Sequence, residues 1–544
     1  MRKKAFSAIT GVIVSFMYVA GSQLDKYDTL NLLDKFFYLK WLAGSGISIL
    51  LIYLLWSLAD RFSAEKLSMH NTTDKASAKE SSLFCAHFFY AGIMLLCWLP
   101  ALLSIVPGVF SYDAYAEWEQ VKTGVITSHH PVIHVLLVGG LLELFHRITG
   151  SYNVGICVYT LLQMFLTANA LAWTITYIKR RGIGRTARLL TLLFYSLSPV
   201  FQLFSICTTK DVLFTACELL FLIFVLWMLG EQDLFFAENK VQAGFVLAVL
   251  GTMVLRNNGF YIALVMLAVL FFFCREYRKR YVMLATTALL LYGVYTGPLY
   301  ALLSVTPGGV EEMLSVPIQQ MARVYHYDRD SLDSGDLDLL YRILPRENLD
   351  NYKPTVADPV KCGFDREGFA GNRAEFFELW ARWGAEHPLT YINSFLVSTV
   401  DFWYPGAVMD GYKDPYGRSS YFDYRVAEPG EEIVLLKGLH EYYESLSWDK
   451  EAQKKPLAFL VLSPGWYFLV FLIIFMYLWY RKKRKLLAAL LIPLLTMATV
   501  LLGPMALVRY VLIFFYAFPL LLAIFLKPQA FEGENNITIS VADR

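Results

Sequence analysis

The sequence predicts an all-α polytopic membrane protein, with about 12 transmembrane helices. Three observations carry that prediction. Apolar runs of about 18 residues or more recur along the 544-residue chain, each long enough to cross a ~30 Å hydrocarbon core as a helix. Charged residues make up 17% of the chain and hydrophobic ones 56%, against roughly 25% charged in soluble domains. Basic clusters fall in breaks between apolar runs, at "KRRGIGRTAR" (179–188), "REYRKR" (275–280) and "RKKRK" (481–485).

Spans are expected at about 5–21, 42–59, 83–106, 152–178, 188–206, 211–230, 241–255, 259–274, 281–303, 457–480, 486–502 and 506–526. The start, "MRKKAFSAITGVIVSFMYVAGSQ", has the basic and apolar regions of a signal peptide and a small-residue site near Ala20. Ahead of so many later spans it reads as an uncleaved first helix. With the N-terminus inside, Arg2, Lys3, Lys4 and the three later clusters all fall on the cytoplasmic side, the positive-inside pattern. The expected location is a bacterial plasma membrane, with both termini cytoplasmic.

The stretch "PVIHVLLVGGLLELFHRITG" (131–150) decides the threading. Its His134, Glu143, His146 and Arg147 make it too polar for a lipid-facing crossing, so it is expected to lie along the outer surface, with Pro131 as first helical residue. Residues 107–151 then form one outer loop containing two short helices.

Residues 306–455 hold 16 Lys+Arg and 26 Asp+Glu, while the rest of the chain holds 32 and 20. This segregation points to an extracytoplasmic domain, mixed α/β or α, over 305–456. It has helical signals in "NRAEFFELWARWGAEHP" and turns at Pro405-Gly406 and Asp414-Pro415. The chain divides into a two-helix region (1–82), a transmembrane core (83–304), the acidic domain (305–456), C-terminal spans (457–527) and a cytoplasmic tail (528–544). No internal repeat is visible. Six of the seven cysteines lie in or beside spans and Cys362 is alone in the acidic segment, so no disulfide framework is implied.

With this topology the unusual polar residues gather at the outer boundary. Asp113, Glu117 and Gln120 share one face of a helix. Lys210 and Asp211 stand where one span ends and the next begins, Arg256, Asn257 and Asn258 at the next outer turn, and Arg509 at the last. Gln319, Gln320 and Arg323 follow the ninth span. Each has a plainer reading: Asp211 as a helix cap, Arg256 as a snorkelling anchor, Asn257-Asn258-Gly259 as a turn, and His129 and His130 as caps of the surface helix. His130 and His134 are four apart, which invites a metal, but no dense set of ligands completes a site. Asp113 is harder to dismiss, because a carboxylate beside the bilayer needs a partner or a task. Trp380, Trp383, Trp403, Tyr404 and Tyr412 suit sugar faces as well as they suit a core or an interface.

These residues resemble the GT-C superfamily of integral-membrane glycosyltransferases, nearest in its protein mannosyltransferase and aminoarabinose transferase branches. Asp113 in "FSYDAYAEWEQVKTG" matches the acidic position that opens the first outer loop, and "HHPVIHVLL" is similar to the family's His-Pro-Pro-Leu segment. Asp211 in "TTKDVLFTACELLF" and the basic turn "LRNNGFYIAL" look like later family features. The likeness covers roughly residues 83–305 and rests on short, degenerate motifs. Ala114 stands where many relatives have a second acid, and Val132 where they have a second proline, so acceptor type and metal dependence are not set by it.

The resemblance implies inverting transfer of a sugar from a polyprenyl-phosphate donor to a glycan, lipid or protein of the cell envelope, on the outer face. Membrane lipid is a further expected partner and nucleic acid is not. Asp113 is the expected base, with Glu117 second. Lys210, Arg256 and Arg509 are the expected donor-phosphate ligands. Asp211, His129, His130, Asn257, Asn258, Gln320 and Trp403 are expected to bind substrate. The residues call for no particular cofactor, and a divalent metal ion stays open. The main rival is a transporter or flippase, which places essential charges near the bilayer midplane. A polymerase or ligase of another fold and a non-catalytic scaffold are further alternatives.

Overall fold

The computed structural model describes residues 2–68, 80–407, 422–456 and 458–533. Tyr412, the Asp414-Pro415 turn and the tail beyond 533 lie outside the described residues. Among the described residues the secondary structure is helical, with isolated β-bridges and no strand. The first thirteen helices are α1 (Arg2–Tyr27), α2 (Lys35–Ser68), α3 (Glu80–Ser104), α4 (Ala114–Thr123), α5 (Val132–Thr149), α6 (Tyr152–Arg180), α7 (Arg185–Leu197), α8 (Pro199–Ser205), α9 (Lys210–Gly230), α10 (Gln232–Ala237), α11 (Asn239–Leu255), α12 (Asn257–Phe273) and α13 (Arg278–Val294).

Eight helices among the described residues are long and apolar enough to cross a membrane. The expected spans at 5–21, 42–59, 83–106, 152–178, 211–230, 281–303 and 506–526 each overlap one of them. The remaining one is Val132–Thr149, the stretch expected along the surface. The span expected at 188–206 is α7 and α8, bent by 53° at Ser198, whose extended backbone is what the following Pro199 favours. Those at 241–255, 259–274 and 457–480 are the shorter apolar helices α11, α12 and Pro464–Tyr480. The one at 486–502 is split into Arg484–Ala489 and Leu491–Val500.

Side-chain contacts orient the bundle. Gln163 on α6 donates to the carbonyls of Phe204, Ser205 and Cys207, just ahead of α9. Arg181, just past α6, pairs at 2.8 Å with Glu231, just past α9. The two helices therefore run in the same direction. α5 begins beside the start of α9, where His130 meets Lys210 at 3.3 Å, and ends at Gly150, just before the start of α6. Both ends of α5 thus lie at the same end of the bundle, and it crosses α6 closely enough that a Cβ on Gly155 would come within 2.7 Å of Leu142 Cα. Pro131 sits just outside α5 rather than at its first position, because its ψ of 117° is extended.

The basic clusters collect at the opposite end. Lys3 and Arg481 share Asp60 at 2.9 and 2.5 Å, Lys483 pairs with Glu532, Lys527 reaches the carbonyl of Gly182, and Arg280 that of Phe236. Residues 310–403 form a helical unit with its own core, in which Ile318, Met321, Leu340, Leu349, Phe376 and Trp383 are buried. The helical signal at 372–388 becomes Arg373–Glu386 followed by Pro388–Trp403, and Pro405-Gly406 turns with Ala407 N–H donating to the Tyr404 carbonyl. This unit joins the end of the bundle that carries Asp113, through Glu312 near His129 and the Ala357 N–H on the Pro504 carbonyl.

Candidate active site

Residues 106–110 follow α3 through a turn closed by the Gly108 N–H on the Ile105 carbonyl, and backbone bonds hold them on both sides. Val106 exchanges two 2.9 Å bonds with Ile433, Val109 N–H donates to Ile206, Thr208 N–H to Val109, and Ala427 N–H to Phe110. Tyr112 then turns with φ +53°, a left-handed conformation uncommon outside glycine. Asp423 holds the turn: its carboxylate accepts from Tyr112 N–H at 3.3 Å, and its N–H donates to the Tyr112 hydroxyl at 3.0 Å. Such strain persists only where the surroundings over-determine it, as they often do at functional sites. The turn puts Asp113 at the N-cap of α4, yet its side chain makes no cap bond. It meets Lys210 Nζ at 2.5 Å and Arg509 Nη1 at 3.1 Å instead.

Lys210 opens α9, whose N-cap is Thr209. The next residue, Asp211, is completely buried, with Oδ1 at 2.9 Å from Arg256 Nη1 and Oδ2 at 3.5 Å from Arg509 Nε. These are charge contacts rather than aligned hydrogen bonds, since Asp211 Oδ1, Arg256 Nη1 and Arg509 Nε lack hydrogen-bond partners by geometry. Arg256 stands in the extended break between α11 and α12, with its guanidinium 4.4 Å from the Tyr510 ring centre. Arg509 lies 4.3 Å from the ring centre of Tyr112 and 5.1 Å from that of Tyr510. Cation–π contacts of this kind contribute about 0.5–2 kcal/mol each.

Burial separates the roles. The Asp113 side chain is 30% exposed, while Arg509 is 4%, Glu117 1% and Asp211 0%. Asp113 is the carboxylate of this cluster that an incoming ligand can reach. Burial alone would raise its pKa, but Arg509 and Lys210 outweigh burial and hold it well below the usual carboxylate range. Asp211, expected to bind substrate, is placed in the cluster with both oxygens near arginines, Oδ1 by Arg256 and Oδ2 by Arg509.

Glu117, expected as the second base, is enclosed. It pairs with His134 Nδ1, whose Nε2 meets the Tyr159 hydroxyl at 2.7 Å, and that hydroxyl donates to Gln163 Oε1 at 2.8 Å. Burial would raise the Glu117 pKa, and the His134 beside it brings it below the ordinary value. This chain locks α4, α5 and α6 together. His130 is pushed down to about 4, first by burial and then by the Lys210 ammonium, despite the attraction of Asp113 and Glu117.

Asp113, Glu117 and His130 all face the Lys210 ammonium, which lies 2.5, 4.0 and 3.3 Å from them. The charge centre of this ring is a lysine, and among the described residues no three His, Cys, Asp or Glu side chains are placed to hold a metal. His129 is 43% exposed and lies 3.9 Å from Glu312. Asn257 and Asn258 open α12, where Asn257 donates to the Ser128 carbonyl at 3.2 Å and Asn258 to the Thr499 hydroxyl at 2.7 Å. Gln320 and Trp403 are not brought to the cluster: Gln320 accepts from Trp380 inside the 310–403 unit, and Trp403 donates to Thr399 one turn back. Tyr112, Thr209, Tyr510 and Asp423 were not singled out by the sequence. Tyr112 and Tyr510 neighbour singled-out charges, but nothing in their spacing shows that both flank the same arginine.

Residues 114–537 match the model of a family of unknown function, DUF6020. No curated protein and no solved structure is similar to the chain. The matched region begins beside Asp113 and takes in Lys210, Asp211, Arg256 and Arg509. It spans well over half of the sequence, and the chain therefore belongs to the DUF6020 family.

Proposed function

We propose that the protein is a GT-C-like membrane glycosyltransferase. It moves a sugar from a polyprenyl-phosphate donor to an envelope acceptor on the extracytoplasmic face, with inversion. The observation that carries this reading is a single reachable carboxylate, Asp113, set among Lys210, Arg509 and the nearby Arg256 at one end of the bundle. The basic patch at the other end supports reading that end as cytoplasmic, by the positive-inside rule, in what this reading takes to be a bacterial plasma membrane. The twelve apolar segments are then the spans, α5 lies along the outer surface, and residues 310–403 cover the site from outside.

Asp113 held low by two cations is a poor base. A donor phosphate would draw Lys210 and Arg509 away from it, and the carboxylate would become more basic as the donor arrives. The acceptor oxygen then forms its bond to the anomeric carbon while Asp113 takes the hydroxyl proton. The bond from that carbon to the phosphate oxygen breaks, and its electron pair leaves with the lipid phosphate. Lys210, Arg256 and Arg509 stabilise the departing anion. One observation favours the alternative, a transporter or flippase. Glu218, two turns below Asp211 on α9, is fully buried on a spanning helix with one oxygen unpartnered, as intramembrane carriers of charge often are.

The test is mass spectrometry of envelope glycans in a deletion strain complemented with wild type or Asp113→Asn, with expression and insertion of both verified. A glycan modification should vanish on deletion and return only with wild type. Full restoration by Asp113→Asn would remove Asp113 as the base. Unchanged glycans on deletion would overturn the transferase reading and favour transport.

A further inference from the structure

At the end of the bundle away from Asp113, α3, α6, α9 and α11 enclose a cavity of about 920 Å³. That is within the ~300–1,000 Å³ of ordinary ligand sites. It shares no side chain with the charged cluster. Its walls are apolar, with Trp173 on α6, Phe224 on α9 and Leu247 on α11. Its charged groups gather at one end, with Arg180 in the last turn of α6 and Glu238 and Lys240 at the start of α11, while a hydrogen-bonded pair, His87 and Asn169, lies three turns back along α6. Both helix ends lie at the level of the Arg181–Glu231 pair.

The cavity therefore has the polarity of an amphiphile. From Trp227 to Cys217, both of which line it, α9 climbs about 15 Å. That is about half of a ~30 Å hydrocarbon core, or one leaflet. Leu247 is 64% exposed and Trp173 39%, so the cavity opens sideways onto whatever surrounds the helices, which in a membrane is acyl chain. At the polar end Arg180 lies over Trp227 at 4.0 Å and pairs with Glu231 at 3.2 Å, remaining 29% exposed. Lys240 is exposed, and no ion pair is shown for it among the described residues.

We propose that this cavity binds one phospholipid of the leaflet at that end, with an acyl chain against Trp173, Phe224 and Leu247 and its phosphate between Arg180 and Lys240. A water-soluble ligand would leave the apolar wall unmatched. A polyprenyl donor bound at Lys210 would have its phosphate at the opposite end of the bundle, so the chemistry favours a bilayer phospholipid. The assignment is independent of the transferase reading.

The test is native mass spectrometry of the full chain released from detergent. It compares wild type with Ala248→Trp, which fills the cavity, and Lys240→Glu, which reverses the charge at its mouth. Wild type should retain one phospholipid after bulk lipid is stripped, and Ala248→Trp should lose it. After delipidation, titration with dioleoyl phosphatidylethanolamine should show the affinity of Lys240→Glu reduced about fivefold. Lys240 is exposed, so that variant tests the site even where Ala248→Trp fails to fold. Wild type without retained lipid, equal binding by wild type and Lys240→Glu, or a retained mass of a polyprenyl phosphate would each overturn the proposal.

Discussion

Asp211 and Asp113 are both aspartates at the site end of the bundle, and they differ in what surrounds them. Asp211 has no exposure and keeps two arginines apart, so Asp211→Ala leaves Arg256 and Arg509 without their shared counter-charge. Removing one partner of a buried charge cluster costs about 3–5 kcal/mol. Thermal unfolding in detergent should show a large fall in Tm for Asp211→Ala and a smaller one for Asp113→Ala, whose site is partly open to solvent. Equal Tm values for Asp211→Ala and wild type would remove the bracing role. The sequence singles out the charged members of the cluster, because charges at the ends of apolar runs are rare and costly. It does not separate the brace from the reachable acid, since both are acids in the same kind of place. Tyr112 and Tyr510 are equally silent: an aromatic ring next to an arginine is ordinary until two of them close on the same guanidinium.

The first outer loop, residues 107–151, gathers three groups that respond to acid in the same direction. His130 titrates at about 4 in the fold against 6.5 ordinarily, so between those values the unfolded chain takes up a proton that the folded chain refuses. Stability falls as pH drops through that window. Asp113 and Glu117 are held below their ordinary values of 3.8 and 4.5. Their contribution is present above those ordinary values and is lost as pH falls further, through their folded ones. Tm should therefore decline from about pH 7 to about pH 5, and His130→Asn should flatten that decline. An unchanged slope in the variant would show that His130 is not buried neutral. The two helices of this loop were legible from spacing, with only the place of Pro131 shifted. The bridged stretch 106–110 before them was not, because its partners lie at 206–208 and 426–433 and no local pattern announces a pairing so distant. The helices α11 and α12 were legible as apolar runs, although each is shorter than a full span.

Across the whole molecule, charge is sorted to two ends. The basic clusters announce one end from the sequence alone, whereas the helical unit at 310–403 shows there as a surplus of acid and one clear helical signal at 372–388. Its helical core had to be seen, because burial of Phe376 and Trp383 depends on residues far along the chain. With other cysteines replaced, an impermeant maleimide added to intact cells should modify Cys362, which is exposed and lies at the Asp113 end. It should reach a cysteine introduced as Arg185→Cys only after the membrane is opened. Modification of both from the same side would refute the sorting. The Asp113–Arg509 contact joins residues 396 positions apart, and the Tyr112–Asp423 contact joins residues 311 apart. The order of synthesis follows from this. Asp113 is made well before both of its counter-charges, Lys210 first and Arg509 396 residues after it. A nascent chain halted before Arg509 has every other charge of the cluster and no closing one, so the site cannot close until Arg509 has been made.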